Sequence, residues 1–297
     1  ASFMNFVNCI KKSKMKTARF CSMGIILILM SSILQGQVFE RLEDNRGLSD
    51  VSTVSGTDSP VSIWIIYDNY VAREGTRSDW GFSVFIEGLE KGILFDTGTR
   101  PDIFENNFRV IGIDPSSIDL LVFSHEHRDH TGGTSSFVKM RTGIPVLMPE
   151  SFTPDFIQTM ADMGLKPVLV NAPSKICRNL FTSGEFQFEI PEEALVIDTK
   201  KGLVVITGCA HPGIITMLRK IKKDFGKNVY MVLGGFHLMD KNEEEMIPII
   251  SHMKVLGVVR CGATHCTGAK QIGMIRESFG GNFVEMGTGN KITIDYY

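Results

Sequence analysis

Two stretches of this chain repeat one order of elements, and that order narrows the fold more than any other feature. From Val61 the β-rich runs "VSIWIIYDN", "GFSVFIEG" and "KGILFDTG" follow closely, each bounded by turn residues. A short helix near "DIFENNF" comes next, and helices then alternate with the strands "IDLLVFS", "IPVLMP" and "PVLV". Further short strand-like runs fill 176–190. From Glu193, "EALVIDTK" and "GLVVITGCAH" predict a hairpin turning at "TKKG". It is followed by helix 213–225, strand "NVYMVLGG", helix 243–256, strand "GVVRCGATH", helix 268–279 and the strands "NFVEMG" and "KITIDY". Adjacent strands passing into strand–helix alternation, twice over, predict an α/β domain over 61–297 with two sheets packed face to face and helices outside.

Composition removes several classes of function. A net charge of −2 over 297 residues, with no basic stripe interleaved with aromatics, argues against nucleic acid or an anionic membrane as partner. Six cysteines without a CxxC do not make a disulfide scaffold. The N-terminal part is of another kind. "KKSKMKTARF" is basic, "CSMGIILILMSSIL" (residues 21–34) is apolar, and "QGQVFE" turns polar, the order of a secretory signal peptide over 1–37. Met15 is a plausible start, with 1–14 an upstream extension, and cleavage is expected near Gly36 or Gln37. The protein is thus expected to be exported, without a stable membrane span once cleaved. The alternative is a membrane anchor retained through 21–34, although that run is short for a span. Residues 38–60 are expected to be a solvated linker.

The chemistry concentrates in "FSHEHRDHTGG", residues 123–133. An apolar strand enters it and a helix leaves it, so His125, Glu126, His127, Asp129 and His130 sit on a strand-to-helix loop. His125 and His127 are two apart and in extended chain point the same way. Asp129 and His130 lie past the turn and can face a second point. Imidazole with carboxylate suits a divalent transition metal: zinc first, then manganese or iron. Gly132 and Gly133 are expected to let the backbone pass close beneath the metals.

H-x-H-x-D-H after an apolar strand resembles the metallo-β-lactamase superfamily over about residues 61–297, and the resemblance implies its four-layer αββα sandwich. It also implies that His125 and His127 bind one metal ion, that Asp129 and His130 bind a second, and that further ligands come from the ends of later strands. Three such ends are present: Cys209 and His211 in "TGCAHPG", His237 in "LGGFHL" and His265 in "ATHCTG". His211 and His265 each end a strand before a helix and are expected ligands. His237, after Gly-Gly, is a metal ligand or a substrate contact. Cys209 stands where many members carry a bridging aspartate, and is a thiolate ligand or a small buried residue. Cys261 and Cys266 are expected to be structural, and His252 to lie idle on a helix. Asp96 in "ILFDTG" matches the superfamily's early aspartate, which orients a ligand imidazole or the loop. A single Asp-Thr-Gly in a chain rich in helices does not fit an aspartic protease.

The run "SHEHRDHTGG", "TGCAHPGI", "LGGFHL", "THCTG", with the earlier "YDNY" and "DWGFSVFIE", is similar to the dihydropterin ribofuranosylaminobenzene phosphate synthase family. The third histidine of lactamases, expected between 150 and 190, is absent, since that region contains no His. This disfavours lactam hydrolysis. Two metal ions about 3.5–4 Å apart suit hydrolysis of a phosphoester or other small ester. The expected activity is therefore that of a metallohydrolase acting on a small molecule, phosphorylated or otherwise esterified. Asp129 would orient the attacking water, His237 would be a second catalytic group, and Arg73, Arg77 and Trp80 are candidates for the mouth. The alternatives are the synthase chemistry that the family name implies, and a metal-binding sensor without turnover.

Overall fold

The computed structural model describes residues 29–34, 37–42 and 60–294. Its first part runs β1 (Leu29–Leu34), β2 (Gln37–Leu42), β3 (Val61–Tyr67), β4 (Ser83–Glu87), β5 (Ile93–Phe95), α1 (Pro101–Ile111), β6 (Leu120–Val122), α2 (Arg128–Thr131), α3 (Thr134–Met140), β7 (Pro145–Pro149), α4 (Pro154–Asp162) and β8 (Lys166–Val170). The second runs β9 (Ser174–Cys177), β10 (Leu180–Thr182), β11 (Leu195–Thr199), β12 (Gly202–Thr207), α5 (Ile214–Phe225), β13 (Val229–Gly235), α6 (Glu243–Val255), β14 (Arg260–Thr264), α7 (Ala269–Phe279) and β15 (Lys291–Ile294). One sheet has the order β1-β2-β8-β7-β6-β5-β4-β3-β15, the other β14-β13-β12-β11-β10-β9.

Strand side chains alternate between faces, so a sheet covered on both sides must be apolar at nearly every position. "GLVVIT" is such a run. Val204 and Ile206 meet Ile63, Val84 and Phe95 of the other sheet, while Val205 packs with Met217 and Leu218 of α5. On the far side, Phe85, Leu121 and Phe123 pack with Phe104 and Phe108 of α1, Phe137 of α3 and Ile157 of α4. The result is the αββα sandwich. Each buried Leu, Ile or Phe adds about 1.5–3 kcal/mol, so three apolar layers leave the strand ends free of the duty of stabilising the fold.

Direction then places the site. β5 to β8 are parallel, and β3 runs the same way as β5 because both are antiparallel to β4. β12, β13 and β14 are parallel in the other sheet. The segments leaving β3, β5 and β6 therefore share one edge of their sheet, as do those leaving β12, β13 and β14.

Two expectations need correction. The linker does not begin at residue 38: β2 pairs with β8, Glu40 opposite Val168, and buries Phe39 and Leu42. Phe39 packs into the helix-side cluster and Leu42, on the opposite face, into the core between the sheets, while Arg41 pairs with Glu150. The ordered chain thus starts ahead of Val61, while 43–59 lie outside the described residues, as does most of the expected signal region; Leu29–Leu34 pairs as a strand with β2. Nor is "NFVEMG" a strand. It makes a single bridge, Phe283 to Cys261, before Gly287 and Gly289, at φ 128° and 85°, turn the chain toward β3. No helix among the described residues is long and apolar enough to cross a membrane.

Candidate metal centre

β6 ends at Val122, and the next residues carry the first donors. Asp96, just past β5, anchors them from the neighbouring strand. Its Oδ1 accepts the Ser124 N–H at 2.8 Å, and its Oδ2 accepts the Ser124 hydroxyl at 2.8 Å and His130 Nδ1 at 2.6 Å. With its hydrogen given to Asp96, Ser124 Oγ accepts from His125 Nδ1 at 2.9 Å. Each imidazole is thus fixed through Nδ1 and presents Nε2 to the cleft, the arrangement that second partners impose on metal-binding histidines. The His125 Nε2 is buried with no hydrogen-bond partner among the described residues. His130 Nε2 lies 3.2 Å from Cys209 Sγ. Gly132 and Gly133 serve a different contact from the one expected: a Cβ on either would fall 2.1 Å from the carbonyl oxygen of Thr99 or Thr97. They let the helical turn pack on the Asp96 loop.

The other sheet supplies the remaining donors from three strand ends. After β12, Cys209 and His211 follow Gly208, where a Cβ would lie 2.1 Å from Ser124 Oγ, so only glycine lets the two half-sites approach. After β13 comes His237, and after β14 His265. Ala210, His237 and His265 have φ of 58°, 49° and 51°, and Asp96 has 57°. Such left-handed backbone in residues with a Cβ persists only where the surroundings enforce it, and it gathers at functional sites.

The donors converge in three overlapping groups. His125, His127 and His211 form one; Asp129, His130, Cys209 and His265 form another; Cys209, His211 and His237 form a third. Within each, the ligand atoms lie within 4.8 Å of one another. The ring centres of His125 and His211 are 4.8 Å apart, those of His127 and His211 5.0 Å, and those of His211 and His237 4.4 Å. Asp129 Oδ2 sits 3.2 Å from His265 Nε2 and 3.6 Å from His130 Nε2, and accepts the Trp80 indole N–H at 2.9 Å. His265 Nδ1 meets Asn69 Oδ1 at 3.0 Å, which again leaves Nε2 for the cleft.

Electrostatics fits cations here. Burial, then the neighbouring imidazoles, hold His125 well below the ordinary histidine range and His211 down at about 3. Both are therefore neutral and carry a free lone pair, the form that binds metals. Burial would also depress His130, but the Asp96 carboxylate outweighs it and lifts this imidazole to about 9. Asp129 stays ionised: despite burial, His265 and His130 hold its carboxyl below the ordinary range. A divalent cation would satisfy the unpartnered Nε2 atoms of His125 and His211 and replace the proton on His130. Nitrogen, carboxylate and thiol donors of this mixture suit zinc, manganese or iron.

All the candidates named from sequence lie together: His125, His127, Asp129, His130, His211 and His265, with Cys209, Asp96 and His237 beside them. Of the mouth residues, Trp80 is there, its ring 4.9 Å from His265. Arg77 instead pairs with Asp102 at 3.2 Å, and Arg73 reaches toward the Ile111 carbonyl. His252 is exposed on α6. Cys261 is core, but Cys266 takes part, accepting the His237 N–H at 3.3 Å and donating to the Cys209 carbonyl at 3.6 Å. Sequence reading missed two buried carboxylates. Glu192 accepts four amide N–H groups from 208–211. Asp68 accepts the Thr264 hydroxyl at 2.7 Å, next to His265. Burial pushes each up to about 7 against those donors. Glu192 stands in no motif, its one signal a charged residue preceding an apolar strand run; Asp68 lies in "YDNY", part of the family resemblance, but nothing in that motif gave it a role.

Comparison with known proteins agrees with this architecture. Residues 81–174 match the metallo-beta-lactamase superfamily. A curated relative, 7,8-dihydropterin-6-methyl-4-(beta-D-ribofuranosyl)-aminobenzene-5'-phosphate synthase of Methanocaldococcus jannaschii, is 33% identical over 282 residues, covering 78% of this chain and 96% of that protein. The solved structure of Tm1679, described as a metal-dependent hydrolase of the beta-lactamase superfamily, superposes with a TM-score of 0.67 at 27% identity, over 79% of this chain and 99% of that one. A diphosphatase from the PhnP family shares the fold at 12% identity, with a TM-score of 0.55 over 80% of this chain and 98% of its own.

Proposed function

The chain belongs to the metallo-β-lactamase superfamily, in its dihydropterin ribofuranosylaminobenzene phosphate synthase-like branch, and from that premise we propose that it is a metal-dependent hydrolase of a phosphoester or small ester. The observation that supports this most is convergence: donors from four separate loops meet at one edge, with buried imidazole nitrogens that have no hydrogen-bond partner among the described residues. His125, His127 and His211 would hold one ion, and Asp129, His130 and His265 with Cys209 beside them a second, zinc being the expected metal. Bound divalent metals lower the pKa of a coordinated water and offset charge developing on substrate oxygens.

The chain's own groups do the rest. Asp129, kept ionised, orients the attacking water through Oδ2 and does not store its proton. His237 is exposed at the rim, and Cys266, more than burial opposes, raises its pKa. It is placed to donate a proton to the leaving oxygen, as a general acid must be. Trp80 steadies Asp129 from the solvent side.

The test is metal analysis of the purified protein followed by a screen of phosphoesters, lactones and thioesters. About two ions per chain and hydrolysis of an ester are expected; a metal-free, active chain would sink the reading. The 33% identical relative supports a second reading, synthase-type transfer on a dihydropterin and a ribofuranosylaminobenzene phosphate. Product formation from such a pair, with no ester hydrolysed, would select it.

Export is part of the proposal, supported by "KKSKMKTARF" ahead of the apolar run. Cleavage near residue 37 would separate β1 from β2 and leave β2 on β8. N-terminal sequencing of the cellular protein should begin there, and an intact cytosolic chain would favour the synthase reading.

A further inference from the structure

We infer that Glu192 is a positioning residue that sets His211 and Cys209 in place for metal, an inference that rests on the metal reading above. Glu192 lies just before β11 and is fully buried. Its Oε1 accepts the N–H groups of Gly208 at 3.1 Å, Cys209 at 2.8 Å and Ala210 at 2.8 Å. Its Oε2 accepts the N–H of His211 at 2.9 Å. Four consecutive amides therefore converge on one carboxylate. A run of N–H groups brought together by a left-handed residue makes an anion-binding concavity, and Ala210 is that residue. Here the anion is built into the chain.

The consequence for the site is directional. With the amides of 208–211 pinned on one side, the Cys209 thiol reaches His130 Nε2 at 3.2 Å, and the His211 ring stands against His125 and His127. Glu192 thus fixes a donor in each of two ligand groups without touching a ligand atom itself. The carboxylate oxygens are not equivalent, since three donors meet Oε1 and one meets Oε2. In Glu192→Gln the side chain keeps one acceptor oxygen and gains an amide NH2. The three clustered donors retain the oxygen, and the NH2 is driven against the N–H of His211. That ligand is released first.

Zinc titration of the full chain tests this. Wild type is expected to take up two ions. Glu192→Gln should keep one at wild-type affinity and bind the other 10- to 100-fold more weakly, as when a ligand's supporting partner is removed. A merely structural carboxylate gives another result: the unfolding temperature falls while both ions bind as in wild type, and that overturns the inference alone. If Glu192→Gln does not fold, Glu192→Asp, with the charge kept and the reach shortened, should show the same one-ion weakening; wild-type affinity at both sites overturns it. A wild-type chain that binds no zinc would overturn the metal reading and this inference with it.

Discussion

The two sheets contribute to one cleft by different means. The loop after β6 delivers His125, His127, Asp129 and His130 within six positions, and the first turn of α2 holds it through its own backbone, with the N–H groups of His130 and Thr131 on the His127 carbonyl at 3.0 and 3.1 Å. From outside it is anchored by Asp96, by the Trp80 indole on Asp129, and by the Thr97 N–H on the His130 carbonyl at 2.7 Å. The loops of the other sheet deliver single donors or a pair, each near a residue in left-handed backbone. They are tied down from elsewhere: Cys209 and His211 by Glu192, and His265 from the opposite sheet by Asp68 and Asn69. Buried carboxylates hold donors on both sides; the difference is that one motif groups four donors on the first sheet, while the second sheet delivers them loop by loop.

The strongest way to break this comparison is to remove one donor from each side. His127→Ala and His211→Ala should both reduce turnover by at least about 100-fold, the upper end seen when only a ligand's support is lost. Folding should change little, because neither ring belongs to the core layers. Metal content should fall in each. Full metal retention in His211→Ala would leave the first-sheet loop working alone and end the two-sided account.

Removing anchors comes next. Asp96→Asn confronts three donors with one acceptor oxygen and an NH2, and is expected to weaken metal uptake by about 10- to 100-fold and to lower stability by about 1–3 kcal/mol. Asp68→Asn should do less, because that carboxylate acts on His265 only through the neighbouring Thr264 hydroxyl, whereas Asp96 holds the His130 ring directly. Metal titration and denaturant unfolding of the pair decide the ranking, and equal losses would contradict it. Trp80→Phe removes only the indole N–H on Asp129, so turnover should fall by about 2- to 10-fold, the worth of one net hydrogen bond. An unchanged unfolding midpoint would confirm that this exposed ring serves the site and not the fold.

The same difference explains what could be read from the sequence. The layers were legible because strands buried on both faces are apolar throughout, as in "GLVVIT". The opening loop was legible because all its donors are neighbours in the chain. His211, His237 and His265 were legible as strand ends, since each follows an apolar run and precedes a glycine, a helix or both. Glu192, Asp68 and Cys266 were not. A carboxylate that receives four amides, or a hydroxyl 196 residues away, is defined by groups that are distant in sequence. β2 escaped for a related reason, since a six-residue run carrying Gln37, Glu40 and Arg41 looks polar until β8 pairs with it.

Glu193 sharpens the comparison at the seam itself, with the smallest expected effect. Its backbone N–H donates to the Ser124 carbonyl at 2.9 Å, joining the segment that carries Glu192 to the first-sheet loop. Its side chain takes the Thr182 hydroxyl on one oxygen and has no partner for the other among the described residues. Burial, more than the Thr182 bond opposes, pushes this carboxyl up to about 8. Beside Glu192, which four amides keep as an acceptor, Glu193 is the neutral acid of the pair at pH 7. The sign follows from linkage. Between its ordinary value of 4.5 and about 8 the folded chain holds a proton that the unfolded chain releases. Stability is therefore fully present below that window and falls as pH rises through it, by at most about 1.4 kcal/mol per pH unit from this group. Glu192 and Asp68 add slopes of the same sign. Glu193→Gln keeps the shape and removes the charge, so its turnover at pH 7 should match wild type, and its advantage in denaturant unfolding should grow from pH 5 to pH 8. A variant whose stability runs parallel to wild type over that range would mean that Glu193 is ionised, and that its second oxygen holds a cation or a donor of its own.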